Sequence, residues 1–292
     1  DDLRIFLQFA RYSSLDKAAT VLQHNPTTLG RRIRRLEASI DATLFERTRK
    51  GHILTASGES MLTEVEKMEH LVAEIDGSIR GEVNRIVGTV RLSVTEGFGN
   101  IVIAPALIEL IDSYPELKIE LVATSGLLSV SKREADMAVL LSRPTRGRLK
   151  TVKLTDYHLK LYATPGYLNS RAEIASPDQL REHRLIGYVD DLIYSPDLRY
   201  YDEVSSGLKP ELTSSSLLAQ KQFVSSNCGI AMLPTFIGEQ DPTLQQVLGD
   251  TVTVTRSFWL AVHEDLFSHA RIQAVVHFLK KLVKVKQHHL LT

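Results

Sequence analysis

A single cysteine, Cys228, and no long apolar run are what this 292-residue chain offers in two places where many proteins carry their chemistry. One thiol excludes an internal disulfide framework and any cysteine-rich zinc site. No apolar stretch approaches the ~18 residues a membrane-crossing helix needs, so no membrane partner is expected. The opening Asp1 and Asp2 do not resemble the basic start of a secretory leader, and a cytoplasmic setting fits these absences. Also missing are a Gly-x-Ser-x-Gly elbow, a Walker loop and a His-Glu-x-x-His pair, so no catalytic residue is identified. His263, Glu264 and His269 are spaced too irregularly for a metal site. Gly97-Phe-Gly99 follows a candidate strand, but Val102 stands where a dinucleotide fingerprint needs its third glycine, so no cofactor is expected. Without a second cysteine nearby, Cys228 reads as a buried structural thiol rather than an oxidant sensor.

Net charge is absent too, with 35 basic residues balancing 35 acidic ones. The balance hides an asymmetry. Residues 1–58 hold ten basic side chains against six acidic ones, leaving the remainder acidic. A basic first fifth on an acidic body points to a polyanion partner for that end alone. An apolar fraction of 43% and a charged fraction of 24% suit a globular chain, and the length suits two or three folded units.

Within the basic segment, Leu3, Phe6, Leu7 and Ala10 keep the spacing of an amphipathic helix. Ser13 or Ser14 offers a cap for a second helix over Leu15 to Leu22, where Ala18 and Ala19 are small enough for another helix to cross closely. Asn25-Pro26 then opens a third, since asparagine caps well and proline suits the first turn. Leu29, Ile33 and Leu36 take its inner side, leaving Thr27, Thr28, Gly30, Arg31, Arg34 and Arg35 outside. Two short helices joined by a tight turn, the second showing hydroxyls and then arginines, are what a major-groove reader requires. Threonine and arginine reach base edges, and later arginines sit over phosphates. Past Leu44-Phe45, the run Arg47-Thr-Arg-Lys-Gly-His52 followed by Ile53-Leu54 predicts a small hairpin tipped by Arg49 and Lys50. Such a wing suits the minor groove or flanking phosphates.

The stretch Phe6-Leu7, Ser14-Leu-Asp-Lys-Ala-Ala-Thr-Val-Leu22, Thr28-Leu-Gly-Arg-Arg-Ile-Arg-Arg-Leu-Glu37, Leu44-Phe-Glu-Arg47 and Leu54-Thr-Ala-Ser-Gly58 resembles the N-terminal domain of the LysR-type transcriptional regulators. The resemblance covers residues 2–60 at nearly constant spacing. It implies base-reading roles for Pro26, Thr27, Thr28, Gly30 and Arg31, and backbone contacts for Arg47 and the wing. Gly30 stands for the family's usual serine and Thr27 for its usual proline, so an operator sequence does not transfer from relatives.

From Thr55 a long helix is predicted. Met61, Val65, Met68, Val72, Ile75 and Ile79 alternate at spacings of four and three, the seam of a coiled coil. A stripe that narrow wants a partner helix, so it predicts a dimer, and paired recognition helices about one DNA turn (~34 Å) apart would read a two-fold symmetric site. The helix should fray between Gly77 and Gly81, and Gly88 ends a hinge.

The body alternates strands and helices. Strands are predicted around Val90–Val94, Ile119–Val122, Asp136–Leu141, Leu159–Ala163, Leu185–Tyr188, Ile230–Leu233 and Trp259–Val262, with helices over Asn100–Asp112 and His269–Lys284. This reads as an α/β body with a mostly parallel sheet. The segments Pro105-Ala-Leu-Ile-Glu-Leu110, Tyr114-Pro-Glu-Leu-Lys-Ile-Glu-Leu121, Ala135-Asp-Met-Ala-Val139 and Gly229-Ile-Ala-Met-Leu-Pro234 extend the resemblance, more loosely, to the family's effector domain. That implies a fold similar to periplasmic binding proteins, two lobes with a ligand cleft between them. The domain expectation is 1–58 for DNA binding, 59–87 for the dimerising helix and hinge, and 88–292 for effector binding. Lobe I would take 88–163 and 264–292, and lobe II 164–263.

In open α/β sheets ligands sit beyond the carboxyl ends of the strands. Thr95-Glu96-Gly97, Thr124-Ser125-Gly126 and Thr213-Ser-Ser-Ser216 qualify, so Thr95, Glu96, Ser125, Gly126, Ser214 and Ser215, with Tyr188 at a strand end, are the candidate effector residues. Hydroxyls and free N–H groups suit a small carboxylate; Glu96 would repel one and suits an amine or hydroxyl instead. The same residues read equally well as ordinary helix caps. The expected function is a sequence-specific, effector-controlled transcription regulator. As in similar proteins, a dimer or dimer of dimers grips DNA, and lobe closure alters the DNA bend and contact with RNA polymerase. An architectural DNA-binding protein and an enzyme with a nucleic-acid anchor are the competing classes.

Overall fold

The computed structural model describes residues 2–12, 14–48, 51–62, 64, 65, 68, 72, 86–124, 130 and 134–292. These fall into two compact units, Asp1–Arg85 and Ile86–Thr292.

The first unit opens with helices α1 (Asp2–Tyr12), α2 (Leu15–Leu22) and α3 (Pro26–Ser39). Phe6 and Phe9 of α1, Ala18 and Ala19 of α2, and Leu29, Ile33 and Leu36 of α3 close one apolar core with Leu44. Helix α2 ends where Gln23 adopts a left-handed φ of 54°, which lets the His24 N–H reach back to the Ala19 carbonyl at 2.9 Å. Asn25 is extended, and its side-chain oxygen accepts the Thr27 N–H at 2.9 Å, so cap and proline start α3 as the sequence predicts. An antiparallel hairpin follows, β1 (Phe45–Thr48) with β2 (Gly51–Leu54). Arg49 and Lys50, expected at its tip, lie outside the described residues.

Four hydrogen bonds fasten this hairpin to its helices. Glu37 Oε1 accepts the Leu44 and Phe45 N–H groups at 2.7 and 3.2 Å. The Thr55 hydroxyl donates to the Thr43 carbonyl at 2.6 Å and accepts the Gly58 N–H at 3.0 Å. Gly58 approaches the Leu44 carbonyl so closely that a Cβ there would collide with its oxygen. A fourth helix, α4, begins at residue 56. Leu62 and Val65 are buried in this unit's own core and Met61 packs against it, whereas Met68 and Val72 are 50% and 64% exposed. The predicted seam is therefore divided: its first positions are used internally, and only the later ones stand free. Ile75 and Ile79 lie outside the described residues.

The second unit is built on one nine-stranded sheet in the order β4-β3-β5-β11-β6-β9-β7-β8, with β10 also paired to β6. The strands are β3 (Gly88–Thr95), β4 (Leu117–Thr124), β5 (Met137–Leu140), β6 (Leu149–Ala163), β7 (Leu185–Gly187), β8 (Leu212–Thr213), β9 (Ile230–Pro234), β10 (Gln245–Val247) and β11 (Val254–His263). The expectation of a mostly parallel sheet is corrected. Parallel pairs join β3 to β4 and β5, and β7 to β8 and β9, but the centre is antiparallel. There β6 and β11 run against each other from Leu149 opposite His263 to Leu159 opposite Val254. Two parallel halves flank this ribbon, and each of its long strands carries the chain from one half to the other.

Helix α5 (Ala104–Ser113) follows a short turn, Glu96–Phe98, and a π-helical turn, Gly99–Ile103. Gly97 and Gly99 are packing glycines rather than a phosphate cradle: a Cβ on Gly97 would meet Leu217 and Ile237, and one on Gly99 would meet Val94 and Ala123. Helix α6 (Leu217–Ser225) was not expected from the sequence. Helix α7 (Ala270–Val285) buries Ile272, Val275, Val276, Leu279 and Leu282, the stripe its periodicity predicted. The short α8 (Gln287–Leu291) buries Leu290. Cys228 is free and half-buried, packed against the core rather than enclosed in it as expected.

Candidate functional site

Two surfaces concentrate the predicted residues, one in each unit. On the first unit, burying Leu29, Ile33 and Leu36 turns the opposite side of α3 outward. Thr27, Thr28, Arg31 and Arg34 are exposed there, with Pro26 and Gly30 half-buried at the same end. The Arg34 guanidinium donates to the Gly30 carbonyl at 3.3 Å. Arg47, on β1, is exposed as well. The partly uncompensated N–H groups of the first turn add a positive helix end to this side.

The remaining arginines of α3 are used differently. Arg32 Nε donates to Asp2 Oδ1 at 2.7 Å, and Arg35 Nη2 donates to Asp2 Oδ2 at 2.6 Å. One carboxylate thus ties α1 to α3. The Arg35 hydrogen bond, assisted by that from Arg32, holds the Asp2 carboxyl below its usual value. Arg35 lies outside, as the sequence predicts, but its charge is paired with Asp2.

On the second unit, a cavity opens where Thr95 ends β3, Pro234 ends β9, and Leu141, Tyr188 and Ser215 follow β5, β7 and β8. It therefore lies at the carboxyl ends of strands from both halves of the sheet, the place ligands take in such folds. Of the sequence-predicted residues, Thr95, Glu96, Tyr188 and Ser215 line it. Ser125 and Gly126 lie outside the described residues. Ser214 does not line the cavity, because the start of α6 needs its polar atoms. Its hydroxyl accepts the Ser216 N–H at 3.1 Å and its carbonyl accepts the Gln220 side-chain amide at 3.0 Å.

Glu96 is engaged at the same helix end. Its Oε1 accepts the Ser216 hydroxyl at 2.9 Å, its Oε2 accepts the Leu217 N–H at 2.8 Å, and Ser216 in turn accepts the Ala219 N–H at 3.1 Å. A carboxylate at a helix N-terminus satisfies donors that the helix leaves open. The capping alternative is thus realised at Ser214, Ser216 and Glu96, although Glu96 also faces the cavity.

Aromatic side chains make most of the wall. Phe258 stacks between Phe98 and Tyr157, with centroids 4.2 Å away on either side. Phe236 meets Phe98 edge-on at 6.1 Å, and Tyr188 meets Tyr200 edge-on at 6.4 Å. Tyr194 completes the outer side and is 36% exposed. Burial raises the Tyr194 hydroxyl to about 12, with the nearby Glu96 charge adding to the rise. Burial likewise pushes Tyr188 well above the ordinary tyrosine value. The free volume is small, about 30 Å³, space for one or two waters. Sequence reasoning missed six of these rings, which enter from positions as far apart as Phe98 and Phe258 and carry no common local pattern.

Comparison with known proteins matches both units. Residues 1–59 match the model of the bacterial regulatory helix-turn-helix protein, lysR family, and residues 84–284 match the LysR substrate binding domain. The Mau operon transcriptional activator of Paracoccus denitrificans is 25% identical over 266 residues, covering 91% of this chain and 90% of that protein. The solved structure of CrgA, a LysR-type transcriptional regulator from Neisseria meningitidis, superposes with a TM-score of 0.61 at 21% identity, covering 96% of this chain and 97% of that one. Full-length LysG from Corynebacterium glutamicum, solved with bound effector Arg, gives a TM-score of 0.61 at 17% identity over 96% and 97% of the two chains.

Proposed function

The chain belongs to the LysR-type transcriptional regulators, and on that premise we propose that α3 reads a specific DNA site under control of a small molecule held in the aromatic cavity. The observation that carries the DNA-reading half is the division of α3: one side is core, and the other presents Thr27, Thr28, Arg31 and Arg34 from a capped N-terminus. Thr27, Thr28 and Arg31, beside Pro26 and Gly30, reach base edges; Arg34, Arg47 and the wing residues Arg49 and Lys50 hold phosphates.

The working species is a homodimer or a homotetramer built from it. Met68 and Val72 support this as exposed apolar positions on α4, and in the sequence the same spacing recurs at Ile75 and Ile79. Two α3 helices would then read a two-fold site. In the second unit lobe I comprises 88–163 and 264–292, lobe II comprises 164–263, and the β6–β11 ribbon joins them. The effector fills the cavity between the lobes, and their closure reorients the DNA-binding units and alters contact with RNA polymerase in the cytoplasm. No catalytic step is assigned; the curated relatives matched are named as regulators of transcription.

A footprint of the full chain on DNA from upstream of its own coding sequence tests this reading. The expected result is one protected two-fold site whose pattern changes when an effector is added. Protection of every fragment alike, with no effect of any small molecule, would contradict it.

A further inference from the structure

The cavity combines two features that select the charge of its occupant. Its walls are mostly aromatic, and the only ionisable side chain other than tyrosine among its described lining residues is the carboxylate of Glu96. No lysine, arginine or histidine lines it among those residues, and no described cation forms an ion pair with Glu96. A small carboxylate there would meet a like charge in a mostly aromatic wall. A cation gains from both, since aromatic faces attract cations within about 6 Å of their centroids and more strongly once water is excluded. Glu96 has lone pairs to spare. It accepts two hydrogen bonds from the start of α6 and has capacity for about four.

Size narrows the class further. About 30 Å³ is space for one or two waters, so an organic occupant of any kind must be small and enters as the walls part. We propose that the effector of this chain is a small organic ammonium compound, its cationic head enclosed by Tyr157, Tyr188 and Tyr194 and faced by Glu96. This rests on the reading above that the cavity is the effector site.

Tetramethylammonium chloride is the probe, with sodium chloride as the salt control, tert-butanol as a neutral molecule of similar shape, pivalate as an anion and phenol as a neutral ring. Thermal unfolding of the full chain is followed as each is titrated. The expected result is a saturable rise in Tm with tetramethylammonium alone. Tyr194→Leu raises its half-saturating concentration by about five-fold or more, while Tyr194→Phe, which keeps the ring, stays within about two-fold. Tyr194 is partly exposed, so these variants remain folded even if Glu96→Gln, which disturbs the α6 cap, does not. Saturation by pivalate or phenol instead, still dependent on Tyr194, would overturn the ammonium class while leaving the cavity as the effector site. Failure of every probe to show saturation dependent on Tyr194 would overturn the class and count against the cavity itself, whereas the DNA footprint is read independently.

Discussion

Glu96 accepts the backbone N–H of Leu217 at 2.8 Å, a bond that spans 121 positions and ties the end of β3 to the first turn of α6. The two residues belong to opposite halves of the sheet, so this carboxylate joins the halves at the mouth of the cavity. Glu96→Ala removes the acceptor for both Leu217 and Ser216. The expected cost is roughly 1–3 kcal/mol, because bonds to a charged acceptor are the stronger kind and the α6 donors would lose their partner. Urea unfolding of the second unit measures it; an unchanged midpoint would show that Ser216 alone suffices as the cap.

Asp2 pairs with both Arg32 and Arg35, so its one negative charge offsets part of the positive charge on α3. Asp2→Ala leaves the threonines and Arg31 in place and removes that negative charge. Affinity for random duplex DNA should rise and its salt dependence steepen, by about one unit of slope for each phosphate newly contacted. A fluorescence titration on mixed-sequence DNA over a salt series reads this. A loss of affinity would mean that the pair is needed to orient α3.

Gly58 sits against the Leu44 carbonyl with no room for a side chain, and Glu37 holds the amides of the same segment. Gly58→Ala should destabilise the first unit by about 1–3 kcal/mol through overpacking, and Glu37→Ala by a similar amount through unmet buried donors. Both variants loosen the wing and so weaken DNA binding, while the second unit's unfolding transition stays unchanged. Separate monitoring of the two units distinguishes this from general instability.

Asp241 supplies a test in acid. Its carboxylate pairs with Lys221 and accepts from the Thr243 hydroxyl at 2.6 Å, the Thr243 N–H at 3.0 Å and the Ser225 hydroxyl at 3.1 Å. The Lys221 bond, then those from Thr243, hold its carboxyl well below the usual 3.8. A folded value depressed in this way contributes stability that is complete above about pH 4–5 and is lost as pH falls toward the folded value. Asp241→Asn should therefore be less stable than the natural chain at neutral pH and lose less stability between about pH 5 and pH 2. Parallel pH profiles for the two proteins would contradict the assignment.

The first unit was the more legible because its signals are local. Asn25 and Pro26 adjoin each other, the buried positions of α3 recur at helical spacing, and Gly51 marks the hairpin. The seam of α4 was legible as a period but not in its use, since Met61 and Val65 face a core that the pattern alone does not reveal. In the second unit the apolar ends of β6 and β11 were recognised, but Leu149–Leu154 of β6 intersperses leucine and valine with lysine and threonine and reads as polar surface. That missed length concealed the antiparallel centre. The cavity was the least legible part. Tyr157 and Phe258 become neighbours only through the β6–β11 register, and Tyr188, Tyr194 and Tyr200 enter from connections between elements.

The proposed reading of DNA sequence rests on the exposed residues at the start of α3. Arg31 tests it most directly, since it is exposed and, among the described residues, has no hydrogen-bond or ion-pair partner whose loss would unsettle the fold. Equilibrium binding of the natural chain and Arg31→Ala to the footprinted site and to competitor DNA, over a salt series, is the measurement. The expected result is a loss of about 1–3 kcal/mol at the site, with little change on competitor. An equal loss on both DNAs, or none on either, would contradict it.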